Sequence, residues 1–577
     1  MRNDHIQFLK NLIREMSESF VIDDLYCPKT GEYNTTFIGH EEVDYSAVAS
    51  SRIAHCILLY YSKESKFYRN DIMLETAKSY LKKLLSMAHE DGTHDLYRTN
   101  FHDPNQVGFV NHPLFSVFIL QKYTEHTKLE DEVFDLFVQN FKKSVYPLCN
   151  LGFHTPNHRW VQTASLSLIK NFVDDPQIQQ TIDKYLWEGI DCDENGEYSE
   201  RSAGTYNQVS DDAFLLCYSA TGDKQYLEYV RRNLMLMKSF IEPDFTINTM
   251  NSLRQDQSET GINFSKYYYC YLVTAAVLQD EEMGYMADKI FDYFQSNPAY
   301  KYYSNPFYVA LMSINTPNFE ELVNSCPSST KKENCSRIVK KSGIARYYLN
   351  TLPATVTLVK SHGVSAPDFF KFMVGKSVVY GRFSGSFFGY PHSQFSPKDL
   401  DENEDGSITL SAYEEQGYRS QFKEPPETSD WRHMDHSKRE WINIQHFNTF
   451  VKYKLNEDES MSFDITTEGT TGVCAKFELS FITNFGKVIN DSCEVLAKKG
   501  GFMIASGNFN FYDVENGVLY TIKSGKHQHA YAHDMRGAAK INDNRFTIAF
   551  TDFSPVNRHI EIKARKHFNE GDLFKFD

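Results

Sequence analysis

The chain has 577 residues, of which 41% are hydrophobic and 24% charged, and its net charge is −16. Because single hydrophobic cores stop growing near about 250–300 residues, this length predicts two large domains, and the composition excludes a disordered or fibrous chain. An acidic balance without a basic stripe argues against a nucleic-acid partner. The longest apolar stretches, such as 271–278, are shorter than the roughly 18–20 residues that span a bilayer, so no membrane partner is expected.

The N-terminus and the cysteines predict the cellular compartment of the protein. Residues 1–5 lack the apolar core of a signal peptide, which predicts a cytoplasmic protein. The ten cysteines are scattered without a C-x-x-C pair, a pattern typical of reduced thiols rather than of a zinc ribbon or a disulfide framework.

Up to about residue 340 the hydrophobic pattern has the period of helices. In 71–90, for example, Leu74, Ala77, Leu81 and Leu84 form one apolar stripe. Further helices are predicted at 5–20, 44–62, 112–125, 129–146, 157–171, 177–188, 206–220, 223–240, 265–279, 282–296 and 305–313. So many consecutive antiparallel helices cannot all reach one central core, whereas a closed ring of helix pairs buries every apolar face. Residues 1–340 are therefore predicted to form an (α/α) toroid.

From about residue 350 the pattern changes to short β-branched or aromatic segments. Strands are predicted at 355–360, 377–380, 447–455, 461–466 and 546–551, punctuated by turn signals and without helices between them. This pattern favours antiparallel sheets stacked as a sandwich in residues 341–577, after a boundary near 328–341. The predicted fold class is α+β multidomain, with an N-terminal toroid followed by a C-terminal antiparallel β-sandwich.

In a ring of helical hairpins every second helix runs in the same direction. The helix starts near 112, 157, 206 and 265 are therefore expected at one rim. The segments before them, 98–112, 150–158, 191–206 and 244–264, are long and polar. Loops of this length inside a compact domain more often carry binding or catalytic residues than serve only as connections.

The start near 157 has a readable cap. Thr155 suits the N-cap and Pro156 the first helical position, which puts Asn157 and His158 in the first turn. Unpaired N–H groups and the positive end of the helix dipole attract a carboxylate there, and they disfavour a charged His158. The same residues could also serve only as polar caps of their helix.

The start near 206 carries the second candidate. Thr205 and Gln208 suit a capping box, which places Tyr206 in the first turn of its helix, and Arg201 and Arg254 lie in the adjoining loops. A neutral His, an amide, a Tyr and nearby Arg suit proton abstraction next to a carboxylate, because the C5 proton of a uronic acid is removable only when the carboxylate charge is neutralised. The expected reaction is β-elimination that leaves a 4,5-unsaturated sugar.

These two segments also carry a family resemblance. In 155–161 (TPNHRWV) and 193–207 (DENGEYSERSAGTYN), the adjacent Asn–His pair and the later Tyr, together with a toroid and a β-sandwich, resemble the heparinase II/III-like and alginate-lyase group of polysaccharide lyases. The architecture covers nearly the whole chain, whereas the motifs cover only these two segments. The resemblance implies that Asn157 and His158 neutralise the substrate carboxylate and that Tyr206 is the catalytic acid or base.

The resemblance also implies a partner and further site residues. The partner is a uronic-acid-containing oligo- or polysaccharide, and a homo-oligomer is compatible with the sequence. Lyases of this group often take a second proton-transfer residue from the β domain, where Tyr390 and His392 are the candidates. Five residues are predicted to bind substrate, and among them the ring of Trp160 is expected to stack on a pyranose: Arg159, Trp160, Arg201, Arg254 and His112. Arg201 and Arg254 could also make only salt bridges with Glu197, Glu200 or Asp256.

No cofactor is required by this chemistry, although toroid lyases sometimes carry a divalent metal in the β domain. Four residues there could supply metal ligands, at a spacing that is common by chance: His433, Asp435, His436 and His446.

Two other functions fit the same architecture. A glycoside hydrolase would need two carboxylates on either side of the scissile bond, and Glu200, Asp211 and Asp212 are the available acids. A non-catalytic glycan-binding protein is the third candidate.

Overall fold

The computed structural model describes residues 2–19, 26–27, 32–33, 45–96, 99–297, 311–313, 315–327, 336–360, 368–531 and 535–576. The chain divides into two compact units, Met1–Ile241 with Arg254–Glu333, and Glu242–Leu253 with Asn334–Asp577. A single boundary at residue 340 therefore does not describe Glu242–Leu253, because this segment lies inside the predicted helical domain but belongs to the second unit.

The first unit is helical. Its helices are α1 (Arg2–Ser19), α2 (Tyr45–Tyr61), α3 (Asp71–Met87), α4 (Pro104–Asn111), α5 (Val117–Gln121), α6 (Lys128–Asn150), α7 (Pro156–Ile169), α8 (Pro176–Trp187), α9 (Tyr206–Thr221), α10 (Gln225–Met237), α11 (Tyr268–Leu278), α12 (Glu281–Ser296) and α13 (Phe319–Ser325). Two small hairpins accompany them, β1 (Tyr26–Cys27) with β2 (Glu32–Tyr33), and β3 (His94–Leu96) with β4 (Asn100–Asp103).

These helices form two concentric layers. In the inner layer α2, α4, α7, α9 and α11 contact one another in that order, while α3 contacts α6 and α6 contacts α8 in the outer layer. Hairpin partners such as α9 and α10 join the layers, and α13 contacts both α11 and α1. Asn315, just before α13, donates to the backbone oxygen of Phe115, which lies between α4 and α5 (3.4 Å). The first unit is the predicted toroid.

The predicted helix start near 112 is wrong. The inner helix α4 already begins at Pro104, because Asp103 caps it by accepting from the N–H of Asn105 (2.8 Å). A 3-10 helix, Pro113–Ser116, and α5 follow, so His112 lies between α4 and this 3-10 helix. Most of the predicted helix 305–313 lies outside the described residues.

The second unit is a sandwich of two large sheets. Its strands are β5 (Arg337–Val339), β6 (Ile344–Tyr348), β7 (Ala354–Val359), β8 (Phe370–Val374), β9 (Ser377–Gly385), β10 (Asp399–Glu402), β11 (Ile408–Arg419), β12 (Trp441–Leu455), β13 (Met461–Gly469), β14 (Cys474–Ile482), β15 (Gly486–Ile489), β16 (Glu494–Ala497), β17 (Phe502–Ile504), β18 (Phe509–Asp513), β19 (Val518–Lys523), β20 (Phe546–Phe553) and β21 (Asn557–Arg565).

One sheet has the order β10-β11-β12-β13-β21-β19-β18-β15-β16 and the other β17-β20-β14-β9-β8-β7-β6-β5. The described pairs are antiparallel except for β17 with β20. Aromatic rings from the two sheets meet in the core, as Phe370 does with Phe463 (centroids 4.8 Å apart) and Phe481 with Phe511 (3.7 Å). The predicted antiparallel β-sandwich is therefore present.

Within the described part of the chain, no helix is both long and apolar enough to cross a membrane.

Candidate functional site

The start of α7 is capped by a carboxylate from another loop. Thr155 is the N-cap residue and Pro156 the first helical residue, as predicted, but among the described residues no N–H of the first turn donates to the Thr155 side chain. Oε2 of Glu200 instead accepts from the backbone N–H of Asn157 (3.1 Å) and from Nδ2 of the same residue. The positive end of α7 attracts a carboxylate, and that carboxylate belongs to the protein itself.

Glu200 connects the two predicted halves of the site. Its Oε1 lies 3.3 Å from Nη1 of Arg254, whose guanidinium lies over the ring of Tyr206 at 4.8 Å from the ring centre. The starts of α7 and α9 therefore lie close together, as the toroid geometry predicts. From the sequence, Glu200 is a candidate acid of a hydrolase and also a salt-bridge partner of Arg254, and the structure shows this salt bridge.

The loop before α9 holds Tyr206 by a different contact than predicted. Thr205 and Gln208 form no capping box, and Oγ of Ser202 accepts from the N–H of Tyr206 instead (3.0 Å). Asp256 fixes this loop, because its two oxygens accept from Oγ of Ser202 (2.9 Å) and from the N–H of Gly204 (2.8 Å).

His158 lies in the first turn of α7, next to the rings of Phe109 and His154. The edge-to-face ring of Phe109 is 5.6 Å away, and the ring of His154 is 4.8 Å away. Burial, and then the neighbouring His154, lower the pKa of His158 to about 4, although Asp103 acts in the opposite direction. His158 is therefore neutral near pH 7, as predicted, with burial as the main cause.

Two predicted substrate-binding residues on α7 are structural. Trp160 is fully buried and donates from Nε1 to Asp191 (2.7 Å), so its ring is not available to stack on a sugar. Arg159 is buried, pairs with Glu188 (2.7 Å) and covers the Trp160 ring at 4.1 Å. These assignments were wrong because α7, as an inner helix, is buried on nearly all sides.

His112 and Arg201 complete the predicted set in the first unit. His112 is buried and its Nε2 lies 3.2 Å from the backbone oxygen of Val161, so the predicted substrate contact is wrong. Arg201 directly follows Glu200, is half-buried and has a left-handed backbone conformation with φ of 47°. Its position next to Glu200 keeps it a candidate, as does the position of Arg254.

Tyr390 and His392 belong to the second unit and stay predictions. Tyr390 is 55% exposed. Because the N–H of Gly417 donates to Oε1 of Gln416 (3.0 Å), Gln416 turns its NH2 group to Nε2 of His392 (2.8 Å), and Nδ1–H of His392 donates to Glu414 (2.7 Å). Both ring nitrogens of His392 are thus engaged within the second unit.

The four metal-ligand candidates do not come together. His433 pairs with Asp430 (2.9 Å), His436 contacts the backbone oxygen of Trp431 (2.7 Å), and His446 lies near Glu415 (3.4 Å). Asp435 instead accepts from the backbone N–H of Ser437 (3.1 Å). Over the described ranges, no group of three or more His, Cys, Asp and Glu side chains could hold a metal ion.

The other acids proposed for a hydrolase are engaged inside the toroid. Asp211 is fully buried and accepts from the hydroxyl of Tyr198 (2.9 Å), while Asp212 accepts from the hydroxyl of Tyr269. Glu200, in contrast, contacts Asn157 at the start of α7 and pairs with Arg254, which lies over the ring of Tyr206 at the start of α9.

Comparison with known proteins supports the fold. No protein-family model matches the chain, and no curated protein matches it by sequence. Among solved structures, a heparan sulfate lyase mutant from Pedobacter heparinus aligns over 96% of this chain and 83% of that chain, with 12% identity and a TM-score of 0.50. A heparinase III aligns over 96% and 84% (10% identity, TM-score 0.51), and a Paenibacillus xanthan lyase over 98% and 57% (10% identity, TM-score 0.54). The chain therefore has a heparinase-like fold, a toroid followed by a β-sandwich.

Proposed function

We propose that this protein is a lyase that cleaves a uronic-acid-containing oligo- or polysaccharide by β-elimination. The observation that carries the proposal is the continuous contact from Tyr206 through Arg254 and Glu200 to Asn157, next to the neutral His158. The similar structures are those of a heparan sulfate lyase, a heparinase III and a xanthan lyase, and they support the same reaction class.

Each group has a distinct part in the proposed reaction. The base takes the C5 proton, the C5–H electrons form the C4–C5 double bond, and the C4–O bond breaks as the leaving oxygen receives a proton. Tyr206 is the proposed acid or base. The guanidinium of Arg254 lies over the ring of Tyr206, 4.8 Å from the ring centre, and places a cation beside this phenol.

The substrate carboxylate must be neutralised before the C5 proton can leave. Arg254, whose side chain is 30% exposed, is the proposed cation for this step, together with Arg201 in the preceding loop. His158 enters as a neutral imidazole, which is able to accept a hydrogen bond or a proton.

The test is absorbance near about 232 nm, because elimination creates a conjugated double bond that hydrolysis does not. The parent protein is incubated with a panel of uronic-acid glycans and oligosaccharides, beside Tyr206→Phe and a matched control, Tyr146→Phe, whose ring is exposed on α6. We expect absorbance with the parent and the control, and a loss of about 10²- to 10⁴-fold in Tyr206→Phe. New reducing ends without absorbance would establish a hydrolase, and binding without either signal would establish a glycan-binding protein.

A further inference from the structure

Two backbone carbonyl groups shortly before α9 accept hydrogen bonds from the start of the next inner helix. The hydroxyl of Tyr267 donates to the backbone oxygen of Ala203 (2.7 Å), and Nζ of Lys266 donates to that of Gly204 (2.6 Å). Both donors belong to the 3-10 helix Phe264–Tyr267, which leads directly into α11. Because backbone polar groups need partners, the conformation of this turn depends on these two donors.

Lys266 contacts the chain on both sides of Tyr206. Its side chain binds the oxygen of Gly204, two residues before Tyr206. Its backbone oxygen accepts from Nε2 of Gln208 (3.0 Å), two residues after Tyr206. The first turn of α9 is therefore attached to the start of α11 at two points, and Tyr206 lies between them.

The hydrogen bond to Gly204 is the polar contact that holds the Lys266 side chain. Lys266 is half-buried, and burial lowers the pKa of its ammonium group, whereas Asp212 and Asp256 act in the opposite direction. In the described structure, Lys266 nevertheless forms no ion pair with either carboxylate. Buried lysines are usually paired with an acid, so this one is placed by the turn before α9 instead.

We propose that Lys266 is a positioning residue for Tyr206, because it holds the backbone oxygen of Gly204 and thereby fixes the turn that carries this tyrosine. The inference rests on the proposed function and deepens it, since it names a residue that keeps the acid or base in place. Asp256 binds the N–H of Gly204 (2.8 Å) and Lys266 its oxygen, so both polar groups of Gly204 are held from outside α9.

The first test is the kinetics of Lys266→Met, which removes the donor and keeps the length of the side chain. We expect kcat in the absorbance assay to fall about 10- to 100-fold with little change in KM, because a displaced acid or base is missed in the transition state and not in substrate binding.

The matched control is Lys143→Met. Nζ of Lys143 also donates to backbone oxygens, those of Leu85 (3.2 Å) and Ala88 (3.0 Å) at the end of α3. Both variants leave carbonyl oxygens without their donor, so a similar loss of Tm is expected in each. Only Lys266→Met should lose kcat, and an equal loss of kcat in Lys143→Met would overturn the proposal.

A double variant tests whether Lys266 acts through Tyr206. Lys266→Met should lower the residual kcat of Tyr206→Phe much less than the kcat of the parent, because the group that it positions is already gone. An undiminished loss in the Tyr206→Phe background would overturn the proposal. A raised KM with an unchanged kcat would also overturn it, since Lys266 would then bind substrate directly.

Hydrogen–deuterium exchange of the free protein tests the same contact without any assay of activity. The N–H groups of Tyr206 and Asn207 donate to Oγ and to the backbone oxygen of Ser202 (3.0 and 2.9 Å). We expect the peptide that covers 202–208 to exchange faster in Lys266→Met than in the parent, and to be unchanged in Lys143→Met. Equal exchange in Lys266→Met and the parent would overturn the positioning role. A parent protein inactive on every glycan would remove the proposed function, whereas this measurement would still decide whether Lys266 holds the turn.

Discussion

Asp211 lies on α9, five residues after Tyr206, and is fully buried. One carboxyl oxygen accepts from the hydroxyl of Tyr198 (2.9 Å), and the other has no hydrogen-bond partner among the described residues. Burial raises the pKa of Asp211 well above its ordinary 3.8, and the neighbouring Asp212 acts in the same direction, against the opposing hydrogen bond from Tyr198. The folded protein therefore favours the protonated form of this acid.

This environment predicts a pH-dependent gain in stability for Asp211→Asn. Because the folded-state pKa is raised, the contribution of the parent Asp211 to stability is present below pH 3.8 and is lost as the pH rises above that value. Asn stays neutral and still accepts from Tyr198, so we expect the Tm of the variant to equal that of the parent near pH 4 and to exceed it by roughly 2–8 °C at pH 8. Thermal unfolding at both pH values measures the difference, and a constant difference would contradict the raised pKa.

The Asp211→Asn variant also distinguishes a lyase from a hydrolase. A lyase that uses Tyr206 needs no carboxylate at Asp211, so elimination activity should persist in Asp211→Asn. A hydrolase that used Asp211 as its acid or base would lose its activity in this variant.

Candidate residues were predicted correctly at a helix start where the preceding residues are typical of an N-cap and a first helical position. Asn157 and His158 follow Thr155 and Pro156, and these two residues do begin a helix. Trp160 was assigned to substrate binding because residue type suggests chemistry but does not reveal burial. Glu200 was not recognised as a contact of Asn157, since 43 residues separate them and only the ring of helices brings them together.

At the scale of elements, the loop before α9 is shaped by a close approach that requires glycine. A Cβ added at Gly204 would lie 2.5 Å from Cδ1 of Ile262 and 2.8 Å from Oδ2 of Asp256. The same Asp256 accepts from Ser202, whose oxygen accepts from the N–H of Tyr206. A side chain at position 204 would therefore shift the loop that positions Tyr206.

We expect Gly204→Ala to lower kcat for elimination by about tenfold or more, because small displacements of reacting groups are costly. The Tm should fall less markedly, since the displaced loop lies at the start of α9 and not in its packed interior. The matched control is Gly571→Ala, where no heavy atom lies within 4 Å of the added Cβ. Unchanged kinetics in Gly204→Ala would contradict the role of this loop in positioning Tyr206.

The positions of helices were predictable where the hydrophobic periodicity and the N-cap residues indicated the same helix start. The predicted helix 129–146 corresponds to α6, Lys128–Asn150, where Thr127 and Glu130 form a capping box. The start near 112 was misplaced because the apolar run around Leu114 continues into a 3-10 helix and α5, while the true start is marked by Asp103 and Pro104. The capping box predicted at Thr205 is absent because the side chain of Gln208 donates to the backbone oxygen of Lys266 instead (3.0 Å), and the N–H of Thr205 donates to the backbone oxygen of Ser202 (3.2 Å).

At the scale of the whole molecule, the two-unit organisation was predictable from the change of hydrophobic period near residue 340. The assignment of Glu242–Leu253 to the second unit was not, because this short polar segment has no periodic signal of its own. Its position depends on Glu242, whose charge becomes significant only next to residues about a hundred positions later in the chain. Asn248 contributes to the same association, donating from Nδ2 to Thr357 on β7 (2.9 Å).

Glu242 is the centre of a buried ion cluster in the second unit. It pairs with Arg346 (3.0 Å) and Lys371 (2.8 Å) and accepts from Thr355 (2.5 Å) and Asn248 (2.6 Å). Burial alone would raise the pKa of Glu242, but Arg346 and Lys371 overcome it and hold the pKa well below its ordinary 4.5. Its contribution to stability is therefore present above pH 4.5 and is lost as the pH falls below that value.

Glu242→Gln would leave the two buried cations without their counter-charge. Removing one partner of a buried ion pair costs about 3–5 kcal/mol, so we expect a marked loss of Tm at pH 7 in the transition of the second unit. The difference from the parent should narrow as the pH falls below 4.5, where the parent loses the same contribution. The matched control is Glu440→Gln, since Glu440 is exposed and pairs with Lys423 at the surface, and its Tm should change little. Calorimetry from pH 7 to about pH 3 follows both variants through the range in which the parent loses this contribution, and a Glu242→Gln protein as stable as the parent at pH 7 would contradict the stabilising role of the ion cluster.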